Sequence, residues 1–223
     1  MVFALLITIS ILAYIVLTIK SWVDFFVKRS KNLVKEQECN KKRNSKTYKF
    51  DTIDQKDIVD QILSSNISEL IEGQFSGKFT CKQIVTVFSE RAYRVGRELK
   101  LTADECFEEA LKIAEEKDSL LQKCIEEVKG DYTNSYLLKK LGLLHGIPFS
   151  VKDHISLKGY LNTNGIGSRA DYVDDEDSTY VALFKANGAI PIVKGNVPII
   201  CLSLHSDNRI WGCAENPWNR ERS

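Results

Sequence analysis

The chain has 223 residues, 43% of them hydrophobic and 27% charged, with a formal net charge of +1. This composition excludes a disordered polar chain, a collagen-like repeat and a disulfide-stapled miniprotein, and the length allows roughly one or two domains. The neutral average hides an uneven distribution: residues 1–19 carry no charge, residues 20–49 carry ten Lys/Arg against three Asp/Glu, and the remainder carries 21 against 27.

Val2 to Ile19 forms an uncharged run of 18 residues. As a helix it spans about 27 Å, close to the hydrocarbon thickness of a bilayer. Trp22, Phe25 and Phe26 follow as interfacial aromatics, with Lys20 placed to snorkel between them. No basic segment precedes the run and no small-x-small site follows it, so a retained anchor over residues 1–26 is favoured above a cleaved signal peptide. A buried core helix fits less well, because the run is apolar on every face.

The basic stretch 27–49 could be drawn to anionic lipid headgroups, but a topology signal and solvated linker is the preferred reading. The positive-inside rule then places the body in the cytosol. Nucleic-acid binding is not expected, since the body is acidic and no recognition motif occurs. The six cysteines (39, 81, 106, 124, 201 and 213) form no CxxC pair and no zinc spacing. Their even number leaves a disulfide set open, and the cytosolic orientation favours free thiols. Asn66-Ile67-Ser68 fits a glycosylation sequon but falls inside an expected cytosolic helix.

Three helical stretches follow. Residues 54–71 place Ile58, Ile62, Leu63, Leu70 and Ile71 at helical spacing. Residues 81–99 open with a Thr80/Gln83 capping box, and Thr102-Ala103-Asp104-Glu105 is read as a second box, starting a helix that runs to about Val128 and stops at Gly130. After Gly142 the texture changes. Ile147 to Val151 reads as a buried strand, residues 178–187 as a helix capped by Asp177 and stopped by Gly188, and Ala189 to Val193 as a second strand. Strand, crossover helix, strand is the grammar of an α/β sheet, with residues 50–223 as one body.

Ligands in such sheets gather beyond the carboxyl ends of the strands, and Lys152 stands there. Beside an apolar strand its ammonium is open to desolvation, which would suit a general base, although a strand-end lysine is more commonly a surface charge. His145 is assigned a turn or surface role. His154 and His205 lack paired ligand spacing, so no metal is expected, and no cofactor.

From Gly142 onward the chain resembles the amidase signature family. The matching pieces are Leu144 to Pro148 running into Val151-Lys152-Asp153, then Gly165 to Ser168 after Lys158-Gly159. Next come the helix into Asn187-Gly188-Ala189, Pro191 to Lys194, and Asn216-Pro217-Trp218. Gly195-Asn196-Val197-Pro198 and the N-terminal anchor favour the branch acting on fatty acid amides over soluble amidotransferase subunits. The resemblance implies an α/β/α domain with a mixed sheet, and a Ser–Ser–Lys triad in which Lys152 matches the lysine. It also implies that Cys201 and Ser203 line the acyl-binding cavity, although ordinary packing of that apolar stretch explains them equally well. The family's Gly-Gly-Ser-Ser-Gly-Gly motif comes after Asn-Pro-Trp, and residues 1–223 stop ahead of it. Ser150, Ser168, Ser203 and Ser223 match neither triad serine. The expectation is an incomplete domain holding one triad member of three, inactive by itself. A lipid-like amide substrate and the membrane are the expected partners, with homo-oligomerisation left open. A truncated non-catalytic membrane-tethered protein and an amidotransferase-like subunit are the alternatives.

Overall fold

The computed structural model describes residues 2–51, 53, 56–129 and 132–222. Asp54 and Gln55, Gly130 and Ser223 carry expectations from the sequence that fall outside the described residues.

Helix α1, Val2–Ser45, is a single 44-residue helix. Ile7 and residues 9–17 are exposed, and Ile9–Ser45 is long and apolar enough to cross a membrane by composition. The basic stretch is therefore helical as far as Ser45, and its second half is not a solvated linker. Lys35 pairs with Asp171 at 2.7 Å, the buried Glu36 meets Arg209 at 3.4 Å, and Lys46, just past the helix, meets Asp104 at 3.2 Å. Arg43 is buried, donates to the Thr102 carbonyl and hydroxyl, and lies over the Trp211 ring. Arg97 closes the helix end by donating to the carbonyls of Arg43 and Lys46, a cation where the helix dipole favours one. Charges counted along a sequence look solvated; here one face of the helix spends them on the body.

The stretch expected as one helix over 54–71 is two, α2 (Lys56–Ser64) and α3 (Ile67–Phe75). Asn66 divides them. Its side chain accepts from Glu69 N–H while Glu69 reaches back to Asn66 N–H, a reciprocal cap that sets a helix start. The Asn66 sequon thus sits at a helix boundary rather than inside one. Helix α4 (Cys81–Arg91) starts at Thr80 and Gln83 as expected and continues through a π-helical turn, Ala92–Gly96.

Thr102–Glu105 is strand β1, not a helix start. The side chains that suggested a capping box are committed elsewhere: Thr102 accepts from Arg43, and the buried Glu105 is held by Arg97 through two bonds of 2.6 Å. Helix α5 (Phe107–Glu127) begins after Cys106 without a side-chain cap. Helix α6 (Asn134–Leu141), capped by Thr133, was not anticipated. Strand β2 (Pro148–Lys152), helix α7 (Thr179–Ala186) and strand β3 (Ile190–Gly195) follow as read, except that Ser178 caps α7 while Asp177 accepts from Lys158 N–H and pairs with Lys185. Strands β4 (Asp207–Asn208) and β5 (Gly212–Cys213) form a small unanticipated hairpin.

The main sheet runs β1-β3-β2, with β2 parallel and β1 antiparallel to β3, so it is mixed. Phe107, Ala110 and Ala114 of α5 and Val85 of α4 cover one face through Ile190, Ile192 and Val193. Val181 of α7 with Leu157, Val151 and Cys106 closes the other. A larger cluster joins α2, α3, α4, α5 and α6 through Ile62, Leu70, Ile84, Leu121 and Leu137. His145 does lie in a turn but not on the surface: it is fully buried near the Phe75 ring. Burial pushes its pKa down to about 4. All six cysteines are free thiols.

Candidate active site

Lys152 closes β2 opposite Gly195 on β3. Alternation along the strand sends Val151 into the core and leaves Lys152 exposed. The expected desolvation of Lys152 is therefore not found within residues 1–223. The buried lysine is Lys194, which pairs in register with Val151 and shares its inward face. Its Nζ donates to the Ile155 carbonyl, directly past Lys152. Burial lowers the Lys194 pKa, and the carboxylates of Asp153 and Asp174 oppose that shift.

Behind Lys152 the strand end is tied down by a buried polar chain. Asp153 N–H donates to the Gly195 carbonyl at 2.9 Å, and the Asp153 carboxylate accepts from the Thr163 hydroxyl at 2.6 Å. Burial raises the Asp153 pKa, while Thr163 and Lys194 counter it. The Thr163 hydroxyl in turn accepts from Gly165 N–H at 3.1 Å and Trp211 Nε1 at 3.3 Å. Asn208 accepts from the N–H groups of Ile210 and Trp211 and donates to Asn196 Oδ1 and the Val197 carbonyl, both at 2.7 Å. Asn196 donates to the carbonyls of Lys100 and Gly212. Buried polar groups are costly unless satisfied, and this chain satisfies its members one through another. Gly165 is needed where it stands: its φ is +68°, and a Cβ would come within 3.1 Å of Asn208 and 3.2 Å of Ile199.

The adjoining turn is open. Cys201 and Ser203 are exposed. Cys201 Sγ lies 3.4 Å from His154 Nδ1 and 3.8 Å from Asn164 Oδ1. Burial and the nearby Lys152 charge lower the His154 pKa. Ile200 and Cys201 adopt φ of 54° and 56°, a left-handed conformation that is unusual for any side chain and costly for a β-branched one. Ile200 N–H donates to the Asn164 carbonyl at 3.0 Å, which holds the turn against the Gly165 loop. The Ser203 hydroxyl accepts from His205 N–H at 3.2 Å. The fold thus brings Cys201 toward Lys152 through His154 and leaves Ser203 further along the same loop.

Sequence reasoning missed Asp153, Thr163, Lys194, Asn208 and Trp211 as the support of this site. One signal was readable: Lys194 is a charged residue in an otherwise apolar strand, which implies a buried partner. Among the described residues no group of three His, Cys, Asp or Glu side chains is arranged to hold a metal ion.

The chain is similar to known proteins. "Fatty-acid amide hydrolase 2-B" of Danio rerio is 30% identical over 165 residues, covering 74% of this chain and 30% of that protein. "Indoleacetamide hydrolase" of Bradyrhizobium diazoefficiens is 30% identical over 144 residues, covering 65% and 25%. A solved structure described as "Fatty acid amide hydrolase" superposes with a TM-score of 0.64 at 20% identity, over 85% of this chain and 35% of that one, and so shares its fold. The chain spans between 25% and 31% of the length of the curated relatives it matches. The Amidase family model matches residues 83–223, which include both flanks of the Lys152 strand end, and the chain belongs to that family.

Proposed function

We propose that this chain carries the membrane anchor and the lysine of an amidase-signature serine hydrolase that cleaves the C–N bond of fatty acid amides. The observation that carries the reading is Lys152, exposed at the carboxyl end of a parallel strand whose other side is locked by Asp153, Thr163 and Trp211. A general base needs a fixed origin and an open approach, and this strand end provides both.

In this mechanism neutral Lys152 accepts a proton from a bridging serine, which accepts one from the nucleophilic serine. Both serines are supplied from outside residues 1–223. The nucleophile's oxygen bonds to the amide carbonyl carbon; the C–N bond breaks as the proton returns through the bridge to the leaving amine. Water, deprotonated by the same route, then bonds to the acyl carbon; the ester C–O bond breaks, the proton returns through the bridge to the nucleophilic serine oxygen, and the carboxylic acid leaves. Cys201 and Ser203 are proposed to line the path of the acyl chain. The exposed apolar half of α1 supports insertion in the bilayer, where such amides partition, and the basic residues after it support a cytosolic body.

The test is turnover of the full-length protein on a long-chain fatty acid primary amide, on indoleacetamide and on glutamine, in wild type and Lys152→Ala. Hydrolysis of the lipid amide that is lost in the variant supports the reading. Release of ammonia from glutamine alone would move the protein to an amidotransferase-like role. A mature message that stops directly after Ser223 would sink the catalytic reading in favour of a tethered, non-catalytic protein.

A further inference from the structure

The basic residues from Lys28 to Lys46 meet different surroundings. Lys35, Arg43 and Lys46 face the body and are consumed there by Asp171, Thr102 and Asp104. Lys28, Arg29 and Lys31 are exposed, and among the described residues none forms an ion pair with them. Directly before them Trp22, Phe25 and Phe26 form an exposed aromatic cluster, with ring centroids 5.6–6.1 Å apart. Aromatic rings gathered at one end of an apolar helix mark the headgroup level.

Helical rise then sets the heights. Lys28, Arg29 and Lys31 lie about 9, 10 and 13 Å beyond Trp22, while Lys41 and Lys42 lie about 29 and 30 Å beyond it. Headgroups extend about 5–8 Å past the hydrocarbon, and the screening length is about 8 Å at physiological salt. Only the first group lies within reach of the membrane's surface charge. Asp24 sits at the same level and offsets one cation. The docked half of α1 prevents the body from neutralising the others.

We propose that Lys28, Arg29 and Lys31 form a binding site for anionic phospholipid headgroups, held at headgroup height by the docking of residues 35–46 on the body. This rests on the reading of the apolar half of α1 as a bilayer anchor. The charges contributing at the surface are worth about fivefold in lipid association each, the equivalent of about 1 kcal/mol per cation.

The experiment places the full-length protein in phosphatidylcholine bilayers containing brominated phosphatidylserine or brominated phosphatidylcholine, and follows tryptophan quenching. A Trp218→Phe background removes one other exposed indole, Trp211 is buried in the body, and a Trp22→Phe control measures the quenching of every other tryptophan so that it can be subtracted. The expected result is at least about fivefold stronger association of Trp22 with phosphatidylserine at low salt. That preference is lost in Lys28→Gln/Arg29→Gln/Lys31→Gln and kept in Lys41→Gln/Lys42→Gln. Equal quenching by both lipids in the parent, or an undiminished preference in the triple variant, would overturn the proposal. An equal loss in the Lys41/Lys42 variant would overturn it too, because a diffuse field would then be acting. No quenching of Trp22 by either lipid would instead refute the anchor reading itself.

Discussion

The two flanks of the Lys152 strand end are built on opposite principles. On one side Asp153, Thr163, Trp211 and Asn208 are buried and joined by directed bonds, and beside them the buried Lys194 donates to the Ile155 carbonyl. On the other, Cys201 and Ser203 are exposed, in a turn with two left-handed residues and long sulfur contacts. Under the proposed function the difference amounts to a division of labour, in which the buried flank would position the lysine and the open flank would meet what approaches it. Stability should therefore respond to the first flank and substrate handling to the second.

The largest effect tests the point where they meet. If the proposed function holds, Lys152→Ala in the full-length protein is expected to lower kcat/KM by about 1000-fold, or about 4 kcal/mol. Wild-type turnover would remove Lys152 from the mechanism. Lys194→Met should cost about 1–3 kcal/mol in urea unfolding, because the Ile155 carbonyl loses its donor. A loss below 1 kcal/mol would show that the buried flank is not the scaffold.

His145 lies outside both flanks and gives an independent measure of burial. Its folded pKa, about 4, lies below the unfolded value of 6.5, so the unfolded chain binds the proton first. Its contribution is fully present above pH 6.5 and is lost as pH falls from there to about 4, a decline on the order of 3 kcal/mol. Urea melts across that window should show the slope, and His145→Gln should flatten it; an unchanged slope would place the acid sensitivity in carboxylates. On the open flank Ile200→Gly should stabilise by about 0.5–1 kcal/mol, since release of the left-handed strain outweighs the added chain entropy. A destabilisation would mean that the Ile200 side chain is packed. Smallest of all, Cys201→Ser should shift stability by less than about 0.5 kcal/mol and show itself only in KM for long acyl chains. A larger stability loss would move Cys201 to the structural flank.

Legibility in the sequence followed the range of the forces involved. The Thr80/Gln83 cap and strands β2 and β3 were readable because their signals lie within a few neighbouring residues. Thr102–Glu105 was misread because its side chains answer to Arg43 and Arg97, outside the local window. The basic stretch was misread for a related reason: a lysine bound for solvent and one bound for Asp171 look alike until the helix face is known. Resemblance nominated Lys152, Cys201 and Ser203, whereas the chain from Asp153 to Trp211 joins residues that only tertiary packing brings together.

By itself the amino-acid sequence determined the apolar start, the placement of the cations after it, the strand–helix–strand grammar and the family segment around Lys152. These depend on periodicity, composition and local spacing. Tertiary structure decided which cations dock and which stay free, and which of two neighbouring lysines is buried. It also decided which flank of the strand end is rigid. Those outcomes depend on what a side chain meets across the fold, and a charge is stabilised or penalised by that partner rather than by its neighbours in sequence.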